Sequence, residues 1–183
     1  MTHPNIIDTP SGIREILTQS KTIAVLGIKT EAQADQAAYY VPKYMQAAGY
    51  EVIPVPGYYP DATEILGGKV YRKLADIPGP VDLVNVFRRP SDVPPHVDDI
   101  LAKKPRAVWL QLGIRNDAAA LQLAEAGIKV VSSALEVVVT GLEGTDAAGL
   151  ADLAKKAEGG CPISNAIRGN VAVTVTTSIA QSA

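Results

Sequence analysis

The chain has 183 residues, 17 basic and 19 acidic side chains and a formal net charge of −2. That length supports one domain with room for a tail, and the near-neutral charge gives no electrostatic footing on nucleic acid or anionic lipid. The single cysteine excludes an intrachain disulfide, and two histidines, His3 and His96, are too few for a zinc or haem site.

Residues 11–19 read as a first helix, with Ser11 placed to cap it. Thr22 to Gly27 is a buried strand ending in glycine. A second helix covers about 38–48. Pro42 fits only the first turn of a helix, so this one is expected to start near Tyr40 or to kink there. Glu51 to Val55 is the second strand, and a loop rich in Pro, Gly and Tyr follows it. Strands over 81–87, 107–112 and 128–131 alternate with helices over 92–103, opening after Ser91, and 116–126, opening after Asn116. Gly49 and Gly127 stand just past helix ends, where a left-handed residue closes a helix.

The strands are near-continuous apolar runs, as parallel strands covered on both faces require. The alternation predicts an α/β, Rossmann-like doubly wound sheet of five parallel strands over about 20–132. No run approaches the ~18 apolar residues of a membrane span, and the N-terminus has no basic or apolar signal region. The expectation is a cytoplasmic protein with no membrane partner.

In such a sheet, ligands bind at the carboxyl ends of the strands, where the strand order reverses. Strand one ends in Gly27-Ile28-Lys29-Thr30. A glycine there lets backbone approach a phosphate, and Lys29 adds a point charge. The alternative is an ordinary strand-to-helix turn, because a full GxGxxG is absent. No acidic residue closes strand two, which argues against an NAD(P) dehydrogenase. Strand three ends in Phe87-Arg88-Arg89, a match for phosphate unless the arginines pair with Asp82 or Asp92. Strand four ends in Gln111-Leu112-Gly113, Trp109 reads as core, and His96 as a lone surface histidine. No base–nucleophile pair has a suggestive spacing.

Four stretches carry a resemblance: 49–55 (GYEVIPV), 68–71 (GKVY), 82–88 (DLVNVFR) and 107–113 (AVWLQLG). Together they resemble the stand-alone coenzyme A-binding domain family, which is similar to the nucleotide-binding domain of succinyl-CoA synthetase. The resemblance covers about 12–132. It implies bound CoA, with the diphosphate on the loop after strand one. Carried over by position, the ligand-contacting residues are Gly27, Ile28, Lys29, Thr30, Val55, Pro56, Phe87, Arg88, Gln111 and Gly113. Two departures stand out. The loop over 28–38 is slightly long, and the family's usual Pro-Val-Asn-Pro is here Pro-Val-Pro-Gly, which removes an asparagine.

The division falls at 1–132 and 133–183. Residues 135–140 and 171–177 read as strands around a helix over 146–158, a βαβ segment. Its stretch from Cys161 to Asn170 (CPISNAIRGN) resembles the C-terminal part of the OsmC/Ohr hydroperoxide-reductase family. By that resemblance Cys161 matches the resolving cysteine, and tail-mediated homodimers are implied. The peroxide-attacking cysteine has no counterpart, so an intrachain two-cysteine cycle cannot run. The favoured reading is therefore a module binding CoA or an acyl-CoA, non-catalytic or of unknown reaction. The alternatives are a thiol peroxidase using Cys161 and a dimeric, nucleotide-sensing interaction protein.

Overall fold

A computed structural model describes residues 3–111 and 113–132, with Gly149 and Asp152. The chain divides into two units, Met1–Ala134 and Leu135–Ala183. The strands and helix expected over 135–177, and Cys161, lie outside the described residues, Gly149 and Asp152 excepted.

Six parallel strands form the main sheet, one more than expected. They are β1 (Ile6–Ile7), β2 (Thr22–Leu26), β3 (Glu51–Val55), β6 (Leu83–Val86), β7 (Ala107–Leu110) and β8 (Lys129–Ser132). Their order across the sheet is β1-β8-β7-β6-β2-β3. The chain leaves β2 for β3 on one side and returns to β6 on the other, so the order reverses between β2 and β6. The additional strand, β1, is only two residues long. It is fixed by the Val130 N–H donating to the Asn5 carbonyl at 2.7 Å, and by the Asn5 side chain donating to Ala124 O at 2.9 Å. So short a run carries no periodicity to read.

The central strands are almost wholly apolar because both of their faces are covered, with Asn85 of β6 the buried polar exception. Ile23, Leu83, Val84, Val108, Leu110 and Val130 are inaccessible to solvent. A small hairpin, β4 (Glu64–Ile65) with β5 (Gly68–Lys69), fills what the sequence shows only as a loop. It lies along the outer edge of β3, where the Tyr71 N–H donates to Pro54 O at 3.0 Å. Pro54 is tolerated within a strand because its nitrogen faces this edge and not β2.

Four helices cover the sheet: α1 (Pro10–Gln19), α2 (Ala37–Ala47), α3 (Val97–Lys103) and α4 (Asp117–Glu125). Three boundaries differ from the expected ones. Thr9, not Ser11, caps α1, its hydroxyl accepting from the Gly12 N–H at 3.3 Å, with Pro10 at the first helical position. The stretch expected to open a helix after Ser91 forms two 3₁₀ turns, Pro90–Asp92 and Pro94–His96, before α3 begins at Val97. Pro94 and Pro95 lack the N–H groups that α-helical bonding would use there. Helix α2 starts at Ala37 and contains Pro42, buried, within its span. Asn116 caps α4 as expected, accepting from the Ala119 N–H at 3.0 Å. Gly49 (φ +96°) and Gly127 (φ +86°) take the left-handed positions after α2 and α4.

At the amino ends of the strands, Asp82 ties β2 to β6. Its carboxylate accepts from the Lys21 and Thr22 N–H groups at 2.8 and 3.1 Å, and Arg106 stands 3.4 Å away. Burial pushes the Asp82 pKa up, but the hydrogen bonds from Lys21 and Thr22, helped by Arg106, outweigh it and hold the carboxyl below its usual value. The folded pKa lies below the unfolded one, so the stabilisation is complete above pH 4 or so and is lost as pH falls through the folded value. Asp82→Ala is expected to cost about 2 kcal/mol near pH 7 by leaving two backbone donors unpaired. Urea unfolding of both proteins checks this, and the gap between them should narrow as pH falls through the folded Asp82 pKa.

Candidate functional site

The carboxyl ends of β2, β3 and β6 meet where the strand order reverses, and glycine allows them to do so. Gly27 follows β2 at φ +91°, and a Cβ there would collide with the Phe87 carbonyl. Its N–H donates to Val55 O at 2.8 Å, and the Phe87 N–H donates to Leu26 O at 2.8 Å. These bonds extend β2 and β6 by one residue each and bring Gly27, Val55 and Phe87 together.

Arg88 extends from this junction across two glycines. Its Cδ stands against the Gly27 position, and its guanidinium lies over Gly57, where a Cβ would overlap Nη1. Its side chain retains 26% exposure. Nη2 reaches Asp92 at 3.9 Å, a long and partly exposed pair, while Asp82 is engaged by Arg106 instead. Arg88 Nε is buried and has no hydrogen-bond partner among the described residues. A buried donor on a cation, unpaired, is costly unless an anion completes it. The second arginine, Arg89, is exposed.

The remaining candidates are spread over the carboxyl ends of four strands, β2, β3, β6 and β7. Ile28 is fully buried, so only its backbone is available. The Lys29 N–H donates to Ala38 O at 3.1 Å, and Lys29 Nζ lies 5.7 Å from the centre of the Tyr59 ring. Gln33 Oε1 accepts from both Thr30 Oγ1 at 2.8 Å and Tyr59 Oη at 2.9 Å, joining the loops after β2 and β3. The side chains of Val55 and Pro56 are buried. Phe87 packs against the core. Gln111 is turned inward, its Nε2 donating at 2.6 Å to Oδ1 of Asn85, which is fully buried in β6. Gly113 (φ +80°) then makes the turn toward α4.

Several residues at this edge carry no signal in the sequence. Arg72 clamps the loop after β3 by donating to the carbonyls of Tyr59, Pro60 and Ala62 at 2.9, 2.7 and 2.6 Å. Asn85 reads there as part of a strand, yet it orients Gln111. Gly57 reads as part of a stiff loop, yet it seats Arg88. His96 is half-buried. Burial first, and then the positive charge of Arg88, hold its pKa below the usual value against the opposing pull of Asp99 and Asp92. It is therefore neutral near pH 7, and Arg88 supplies the charge here.

A cavity of about 330 Å³ lies elsewhere, along the outer side of β3, lined by residues including Tyr50, Glu51, Lys69 and Tyr71. It includes none of the ten candidate residues. Among the described residues no cluster of three metal-ligating side chains occurs, and no helix is long and apolar enough to cross a membrane.

The sequence profile of the CoA binding domain family matches residues 21–139, more than half of the chain. The chain belongs to the CoA binding domain family. The match continues seven residues past 132. The uncharacterized protein YneT of Bacillus subtilis is 41% identical over 119 residues, covering 65% of this chain and 84% of its own. A solved protein from Thermus thermophilus is 41% identical, covers 67% of this chain and 90% of its own, and superposes with a TM-score of 0.62. A hypothetical protein from Pyrococcus horikoshii is 33% identical, with 72% and 88% coverage and the same TM-score of 0.62. These matches support the Rossmann-like CoA-binding fold of the first unit. They give no support to the OsmC/Ohr resemblance of the tail.

Proposed function

We propose that the first unit of this CoA binding domain protein binds coenzyme A or an acyl-CoA at the junction of β2, β3 and β6, without itself catalysing a reaction. The observation that carries this reading is Arg88, with a buried, unpartnered Nε between two glycines at the point where strand order reverses. A diphosphate supplies the acceptors that this donor lacks, and guanidinium geometry suits phosphate oxygens. The open N–H groups of the loop after Gly27 add neutral donors beside it. Family membership supports CoA over other anions, and the lack of an acid closing β3 argues against a nicotinamide dinucleotide.

Titration calorimetry with CoA, acetyl-CoA and NAD tests the proposal. Saturable heat is expected with the CoA compounds and none with NAD. Binding of NAD alone, or no heat at millimolar CoA, would contradict it.

A further inference from the structure

The proline inside α2 sits well past the first helical turn, and its consequence appears in the loop that faces the site. In an unbroken helix the Ala38 carbonyl would accept from the N–H of residue 42. Pro42 has no N–H, and its ring crowds that carbonyl. The Ala38 carbonyl instead accepts from the Lys29 N–H at 3.1 Å, a bond from the helix to the loop after β2. Pro42 is buried, so water does not compete freely for the released acceptor. Lys29 being committed to α2, the N–H groups of its neighbours Ile28 and Thr30 donate to nothing among the described residues. They flank the loop next to Gly27 and Arg88.

We propose that Pro42 is a positioning residue for the anion site. By withholding one helical N–H it frees the Ala38 carbonyl to hold Lys29, and so fixes the loop that presents the Ile28 and Thr30 donors. The proposal rests on the CoA reading of this site and adds a residue that contacts no ligand.

Two variants of the full chain separate the missing N–H from the proline ring. Pro42→Ala restores a donor inside the helix, which then competes with Lys29 for the Ala38 carbonyl. A second variant carries lactic acid at position 42. It has the alanine side chain but an ester oxygen in place of the N–H. NMR amide exchange at Lys29 without ligand and calorimetric CoA affinity are the readouts, with circular dichroism to verify folding. For Pro42→Ala, Lys29 exchange is expected to quicken about tenfold and CoA binding to weaken about fivefold, each the scale of one hydrogen bond. The lactate variant should return both toward wild type. Wild-type values for Pro42→Ala would overturn the proposal, as would equal behaviour of the two variants or quicker exchange with unchanged affinity. If the wild-type protein fails to bind CoA, the CoA reading falls, and Lys29 exchange alone then decides whether Pro42 holds the loop.

Discussion

Replacing Arg88 with alanine is expected to weaken CoA binding by about ten- to a hundredfold, the range of a charge-assisted hydrogen bond. The matching change at Lys29 is expected to cost only about two- to threefold, as for an exposed, screened charge. The difference follows from how the two cations are held. Arg88 lies against Gly27 and Gly57 with its Nε buried and unpaired, so its guanidinium is oriented before a ligand arrives. Lys29 is a flexible ammonium resting over the Tyr59 ring, 5.7 Å from its centre. Calorimetry on the two variants decides the ranking. Equal losses would mean that the guanidinium is a surface charge and not the principal anchor. Arg88→Lys should recover little, because a single ammonium does not reproduce the Nε donor.

The second large effect separates two glycines that look alike in sequence. Gly27→Ala is expected to destabilise the protein by about 2–5 kcal/mol, combining a left-handed backbone with overpacking. Its Cβ meets the rigid Phe87 carbonyl, and relief would require breaking the bonds that join β2 to β3 and β6. Gly57→Ala should leave stability within about 0.5 kcal/mol, as for an exposed surface site. There the Cβ meets only the end of the Arg88 side chain, which can swing away. The consequence should be weaker CoA binding, approaching that of Arg88→Ala. Thermal unfolding and calorimetry on both variants test the pair. Stability loss at Gly57, or none at Gly27, would overturn this assignment.

Much of this arrangement is legible from sequence, and the missed parts share a physical cause. Strands β2, β3, β6, β7 and β8 are apolar because both faces are buried, and Gly27 marks the end of the first at the switch point. Both follow from pattern alone. The choice between pairing Arg88 to Asp82 or to Asp92 does not, because it depends on which acid the sheet brings near. Asp82 lies at the amino end of β6 and Arg88 just past its carboxyl end, so Asp82 binds Arg106 and Arg88 reaches only a distant Asp92. The candidate set included Ile28, Val55 and Pro56 by position, yet their side chains face inward. Pattern identifies the loop but not which of its atoms are exposed. The proline in α2 reads as a helix boundary because helix propensity counts one lost hydrogen bond. It does not count a carbonyl satisfied from another loop. Replacement of the family's Asn-Pro by Pro56-Gly57 reads as the loss of a ligand contact, whereas in the fold Gly57 opens the seat for Arg88.

A crystal structure of the full chain grown with coenzyme A tests the central claim most directly. A diphosphate oxygen is expected within hydrogen-bond distance of Arg88 Nε, with the Ile28 and Thr30 N–H groups facing the same anion. Coenzyme A seated instead in the cavity along the outer side of β3, beside Tyr50, Lys69 and Tyr71, with Arg88 Nε still unpaired, would contradict it.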